Sequence, residues 1–207
     1  MTNDLIAGLV LAAGESRRMG ADKALLNYQG KTFVETILER LRQAGVRQQA
    51  VVLGHHAAMI QSAANLDGAI VVINKNFHLG QSSSLQAGLR ALGLPEPEGV
   101  LLCLVDHPAC RPETMRRLAE EFMLARAPVL IPVYSEQRGH PVLLSKALFP
   151  EFLALDSGQG ADAVVRKYRH STRWVEVDDP GIIADIDEQS DYQALVAGEL
   201  PDPTSRN

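Results

Sequence analysis

Short apolar runs alternate along this chain with segments of helical periodicity. Ile6 to Leu11 is wholly apolar, the composition of a strand buried on both faces of a parallel sheet. Ala50 to Gly54, Ala69 to Ile73, Val100 to Val105 and Pro128 to Val133 repeat the pattern, and Val100 to Val105 is the most apolar of them. Between them, Thr32 predicts a helix cap for Phe33 to Gln43, with Glu35 at the capping-box position, Phe33, Ile37, Leu38 and Leu41 on one face, and Gly45 at the end. Further helices are expected over Met59 to Ala64, Leu85 to Leu92, Glu113 to Ala125, Phe149 to Leu155, from Asp156 into Arg166, and Ser190 to Val196. Ala24 to Leu26 reads as a short strand before a polar turn, Asn27 to Lys31. Ser135 to His140 reads as a hairpin loop with Pro141 to Leu144 returning from it, and Trp174 to Val177 alternates like an edge strand. No repeat is apparent. The order of elements predicts one α/β domain over residues 1–200, with 201–207 as a loose tail.

The polar residues that interrupt this pattern carry the chemistry. The first strand turns at Ala12-Ala13-Gly14, where small residues let the backbone approach a bound group and glycine permits unusual dihedrals. Ser16, Arg17, Arg18 and Lys23 follow at once. Free N–H groups with three cations just beyond suit a polyphosphate. The loop is neither a Walker loop, because five residues stand between Gly14 and Gly20 and Ala24 follows Lys23, nor the Gly-x-Gly-x-x-Gly dinucleotide fingerprint. Gly80 with Ser82, Ser83 and Ser84 ahead of a helix offers N–H groups and hydroxyls to a ribose or a base edge. Asp106 closes the most apolar strand and Pro108 stops that strand, which puts a carboxylate where open α/β sheets bind ligands. We read it as a metal ligand or general base rather than a helix cap. Asp185 and Asp187 are two residues apart, on one side of an extended segment. Asp106 with Asp187, or with Asp185, could hold one Mg²⁺, or Mn²⁺ in its place. His55-His56 reads as a loop bordering the cleft, since adjacent side chains on a strand end diverge. Arg138 and His140, in an exposed turn, could contact an anionic acceptor or simply be solvated.

Together these parts suit nucleotidyl transfer, in which a phosphate attacks the α-phosphorus of a nucleoside triphosphate and pyrophosphate leaves. Lys23 with Arg17 or Arg18 would neutralise the phosphates, and no covalent nucleophile is needed. As an exposed cation, Lys23 should matter for turnover and little for stability. Composition narrows the partners. The chain of 207 residues carries a net charge of −5, which argues against general nucleic-acid binding and makes the cations after Gly14 stand out. No run approaches the roughly 18 apolar residues of a membrane span. The first residues lack the cationic region of a signal peptide, and Cys103, in an apolar run, reads as a packed thiol. A reduced, cytoplasmic protein is expected.

The sequence resembles the MobA-like nucleotidyltransferase superfamily, and within it the molybdenum cofactor cytidylyltransferases. The resemblance is carried by Leu11-Ala12-Ala13-Gly14-Glu15-Ser16-Arg17-Arg18-Met19-Gly20 with Lys23, by Gly80 to Leu85 with Gly88-Leu89, and by Val105 to Pro108. It extends through Arg138 to Val142, Gly158 to Ala161 and Asp185 to Tyr192. It implies a single Rossmann-like domain with a mostly parallel central sheet flanked by helices and a small antiparallel hairpin element. It further implies Mg²⁺ dependence and transfer of CMP from CTP to the phosphate of molybdopterin, with a transient contact to a molybdoenzyme or its chaperone. In similar proteins Leu-Ala-Ala-Gly accompanies CTP and Leu-Ala-Gly-Gly accompanies GTP, and the Cβ of Ala13 would narrow the base pocket toward a pyrimidine. Asp106-His107-Pro108 and Glu188-Gln189 depart from the usual pattern, which bears on the acceptor more than on the nucleotide. The alternatives are another nucleotide such as GTP, another phosphorylated acceptor, or a catalytically silent nucleotide-binding regulator.

Overall fold

The computed structural model describes residues 5–16, 19–93 and 96–200. Arg17, Arg18, Pro95 and the expected tail 201–207 lie outside the described residues. In chain order the elements are β1 (Ile6–Ala12), β2 (Asn27–Tyr28), β3 (Lys31–Thr32), α1 (Phe33–Gln43), β4 (Gln48–Leu53), α2 (Ala57–Ala63), β5 (Ile70–Ile73), α3 (Gln81–Ala91) and β6 (Gly99–Leu104). They continue with α4 (Pro112–Ala125), β7 (Val129–Tyr134), β8 (Gln137–Arg138), β9 (Val142–Ser145), α5 (Phe149–Leu153), α6 (Ala161–Lys167), β10 (Thr172–Glu176) and α7 (Gln189–Ala197). The main sheet runs β10-β7-β9-β6-β1-β4-β5, with β8 paired to β7. Its β6-β1-β4-β5 half is parallel, and β10 is parallel to β7. β9 runs antiparallel between β6 and β7.

β1 is buried along its whole length because helices cover both faces of the sheet. Ile6, Val10 and Ala12 pack with Val34, Ile37, Leu38 and Leu41 of α1 and with Met115, Leu118 and Phe122 of α4. Ala7, Leu9 and Leu11 point the other way, toward Leu85 and Leu89 of α3, Phe149 and Phe152 of α5, and Val164 of α6. Each fully buried Leu, Ile or Phe side chain stabilises the fold by about 1.5–3 kcal/mol. The two-residue period of one strand therefore builds both cores of a three-layer α/β/α domain. A smaller cluster of Met19, Phe33, Ala109, Ala184, Ile186 and Leu195 seats α7 and the segment before it.

α1 begins as its sequence predicts. Thr32 Oγ1 accepts from Glu35 N, and Glu35 Oε2 accepts from Thr32 N at 2.7 Å. Burial would raise the Glu35 carboxyl, but hydrogen bonds from Thr32 and from Asn65 N outweigh it and hold the group below its ordinary value.

Four local expectations change. Lys23–Leu25 is a 3₁₀ turn and not a strand, because Asp22 Oδ1 accepts from Ala24 N and starts a turn there. The polar turn Asn27 to Lys31 is a minute hairpin of β2 and β3, with Gln29 and Gly30 both at positive φ. α3 opens at Gln81, so the three serines lie in its first turn and not in a loop ahead of it. Asp185 and Asp187 lie after a 3₁₀ turn, Pro180–Ile182, in irregular backbone.

Candidate active site

The carboxyl ends of β1 and β6, side by side and parallel, open onto one cavity of about 300 Å³. Leu11, Ala12, Ala13, Gly14, Ser16, Lys23, Gly80, Ser84 and Asp106 line it, as the sequence placed them. Asp22, Phe77, Gln81, Leu104 and Val105 complete the wall. Gly20, Ser82, Ser83, Arg138, His140, Asp185 and Asp187 do not line it.

The loop after β1 closes on itself. Ser16 adopts φ +49°, accepts from Lys23 N through Oγ at 3.0 Å, and accepts from Met19 N through its carbonyl. The unusual dihedrals expected of Gly14 are thus at Ser16 and at Gly20 (φ +65°), while a Cβ on Gly14 would meet nothing within 4 Å. Close approach is required instead at Gly54, where a Cβ would stand 2.5 Å from Ala13 O and 2.9 Å from Ala13 Cβ. The Ala13 methyl therefore lies over Gly54 and only 6% of the residue is exposed.

Lys23 is the focus of the cavity's charge. Its Nζ lies 2.6 Å from Asp187 Oδ1 and 3.4 Å from Asp106 Oδ2. Its side chain is 13% exposed, so the freely solvated cation expected from the sequence is a half-enclosed, paired one. Asp22 aims it by capping the turn in which Lys23 sits, and His56 Nδ1 pairs with Asp22 Oδ2 at 2.9 Å. A single backbone bond, Ile186 N to Asp106 O at 2.9 Å, ties the two acid-bearing segments together. Arg40 of α1 donates through Nη1 to the carbonyls of Pro108 and Cys110 and so braces the loop beyond Asp106. Of the late acids, Asp187 reaches Lys23. The charge of Asp185 bears on His107.

Asp106 Oδ1 is buried without a hydrogen-bond partner among the described residues. Such an oxygen fits a hard divalent cation, with Asp187 as a second oxygen donor. Among the described residues no three His, Cys, Asp or Glu side chains converge as a closed metal cage. A metal held here would complete its shell with water and substrate oxygens.

Behind Asp106 lie two largely buried imidazoles, His107 and His140, with ring centroids 5.1 Å apart. Burial lowers His107 despite the nearby carboxylates, and burial with the neighbouring His107 pushes His140 down to about 4. Both rings are neutral at pH 7, so His140 offers no charge to an anion. Arg138 is exposed and its guanidinium lies 5.9 Å from the Trp174 ring centroid.

The serines divide their tasks. Asn74, buried after β5, accepts from Asn76 N through Oδ1, which fixes its amide orientation. Its Nδ2 donates to Ser83 Oγ and Ser84 Oγ at 2.9 and 3.0 Å. Ser83 Oγ donates onward to the Asn76 and Gly80 carbonyls, and Ser82 Oγ donates to Gln159 O. Ser82 and Ser83 therefore shape the loops, and Ser84 faces the cavity. Asn74 lacked a visible signal in the sequence, being one polar residue after an apolar run. Asp22 had one, since Asp followed by Lys-Ala-Leu is a turn-capping pattern.

The sequence matches the MobA-like NTP transferase domain over residues 8–172. It is 32% identical over 178 residues to a protein of Paenarthrobacter nicotinovorans named nicotine blue oxidoreductase, covering 82% of this chain and 84% of that one. It is 34% identical over 105 residues to a probable molybdenum cofactor guanylyltransferase of Bacillus cytotoxicus, and this match spans half of each chain. Among solved structures, Rv0371c of Mycobacterium tuberculosis H37Rv in complex with manganese superposes with a TM-score of 0.77 at 32% identity, covering 93% of this chain and 98% of that one. No described helix is long and apolar enough to cross a membrane. With its sequence matched over most of its length, its fold shared, and Lys23 paired to Asp106 and Asp187 beside the cavity, the chain belongs to the MobA-like NTP transferase domain family, as a nucleotidyltransferase of that family.

Proposed function

We propose that this protein transfers CMP from CTP to the phosphate of a molybdopterin-type acceptor, with Mg²⁺ or Mn²⁺ as its metal. The observation that carries the reading is that Lys23 and Asp106 meet at the wall of the cavity that β1 and β6 open, with Asp187 paired to the same Lys23 ammonium. In this reading the triphosphate lies across Ala12 to Ser16, where backbone N–H groups and the Lys23 ammonium offset its charge. Asp106 and Asp187 would hold the metal, which when bound would neutralise the phosphates and align the leaving group. The acceptor's phosphate is already an anionic nucleophile, so the neutral His107 and His140 are not required as bases. Arg17 and Arg18 are assigned to the phosphates on their place in the motif alone. The choice of CTP rests on the resemblance of Leu11-Ala12-Ala13-Gly14 to cytidylyltransferase loops. Because the Ala13 methyl lies over Gly54, its influence on the base would come through the position of the loop rather than through a methyl facing the ligand. The product would pass to a molybdoenzyme or its chaperone.

The test is pyrophosphate release from each of CTP, GTP, ATP and UTP, with Mg²⁺ or Mn²⁺, with and without molybdenum cofactor. Acceptor-dependent release from CTP is expected. Release from GTP alone would overturn the base assignment, and tight CTP binding without release under any condition would support the silent regulator. The relative named an oxidoreductase favours a second reading, redox turnover on the same scaffold. Its signature would be consumption of an electron donor with no pyrophosphate.

A further inference from the structure

We infer that Asp179, a residue outside the cavity and without a role in the reading above, is the positioning residue that sets where Asp187 stands relative to Asp106. The inference rests on that reading for the metal-binding role of the two acids, but its own evidence is separate.

Asp179 is 2% exposed. Its Oδ2 accepts from Arg111 N at 2.8 Å and from Thr114 Oγ1 at 2.7 Å, and its Oδ1 accepts from Gly181 N at 3.0 Å. Arg111 Nε lies 3.8 Å from Oδ1 and balances the charge. One carboxylate thus joins two pieces of chain. The first is the start of α4, five residues after Asp106. The second is the Pro180–Ile182 turn, which leads into Asp185 and Asp187.

From that knot the late segment is threaded closely against its neighbours. A Cβ on Gly181 would stand 2.4 Å from Ala109 O, His140 N donates to Ile182 O at 2.9 Å, and Ile186 N donates to Asp106 O. Asp179 holds one end of this seam and the Ile186–Asp106 bond holds the other, with Lys23 and Asp187 just beyond. Every hydrogen bond to Asp179 comes from a donor, so an acceptor-only carboxylate is required. Asparagine would place an N–H against one of the backbone N–H groups and open the seam. The outcome is a shifted Asp187, while the cavity floor from β1 and β6 stays in place.

The experiment is Mn²⁺ titration of the full-length protein without nucleotide, followed by electron paramagnetic resonance, on the wild type and on Asp179→Asn, Thr114→Val, Asp187→Asn and Glu35→Ala. Glu35→Ala serves as a destabilised control remote from the seam. Wild-type binding that Asp187→Asn abolishes is required by the metal reading, and its absence would sink that reading and this inference with it. Given such binding, Asp179→Asn is expected to weaken Mn²⁺ at least tenfold and Thr114→Val to weaken it severalfold, with Glu35→Ala unchanged. Wild-type affinity in Asp179→Asn would overturn the inference and leave the metal reading standing. Should Asp179→Asn fail to fold, Thr114→Val decides, because it keeps the carboxylate and removes one of its donors. Equal weakening in Glu35→Ala would reduce Asp179 to a general stabiliser and also overturn the inference.

Discussion

Replacing Lys23 by methionine should make the protein bind a divalent cation more tightly while abolishing its turnover. The Lys23 ammonium sits between the two acids that the proposed metal needs, 2.6 Å from Asp187 Oδ1 and 3.4 Å from Asp106 Oδ2. Metal and ammonium compete for the negative charge of the same two carboxylates. A hydrogen bond to a charged group contributes about 1.5–3 kcal/mol. The acids are 27% and 32% exposed on their side chains, so water screens part of this and the lower end applies. At 1.4 kcal/mol per decade, removing the competitor tightens Mn²⁺ by roughly tenfold. Methionine keeps the length of the side chain without its charge. The variant should also melt earlier than wild type without metal, because two neighbouring carboxylates lose one cation that they share, and should recover more when Mn²⁺ is added. Calorimetric titration with Mn²⁺ in the absence of nucleotide reads the affinity directly. Equal or weaker binding by Lys23→Met would refute the reasoning, since it would mean that the ammonium helps recruit the metal or that the metal binds elsewhere.

Other outcomes follow from the scaffold. Glu35→Ala removes the reciprocal cap of α1 and the bond from Asn65 N, and should cost about 1–2 kcal/mol in chemical denaturation. Since the folded Glu35 carboxyl lies below its ordinary value of 4.5, its contribution is complete above that value and is lost as pH falls through the lowered folded one, so wild type and variant should converge in acid. Burial raises Cys103 to about 12 and Cys110 well above its ordinary value, so neither thiol should react with a disulfide reagent at pH 8 until denaturant is added. Rapid labelling of the folded protein would contradict the burial of both.

The sheet and helices were legible because their signals are local and repeated. The capping box at Thr32 and Glu35, the apolar strand before Asp106 and the small-residue turn after β1 each announce themselves within a few residues. The strand expected at Ala24 to Leu26 does not form: two leucines imitate an apolar run, whereas the single side chain of Asp22 decides the turn. The insertion of β9 between β6 and β7 was not legible, since Val142 to Ser145 carries no mark of the strand it will join. The site was legible as a set of chemical types, but not in its division of labour. That Ser84 faces the cavity while Ser82 and Ser83 serve the loops depends on Asn74, and that Asp187 rather than Asp185 meets Lys23 depends on Asp179 and Ile186. Those contacts cross tens of residues, and spacing along the chain does not encode them.

The amide of Asn74 has a consequence for recognition. Because its orientation is locked by Asn76 N, it always presents hydrogen to Ser84, and no described residue accepts the proton that Ser84 itself carries. The hydroxyl therefore meets its guest as a giver. A carbonyl, a ring nitrogen with a lone pair or a sugar oxygen is welcomed at that spot, and a guest offering only hydrogen must make do with the one lone pair that Asn74 has left.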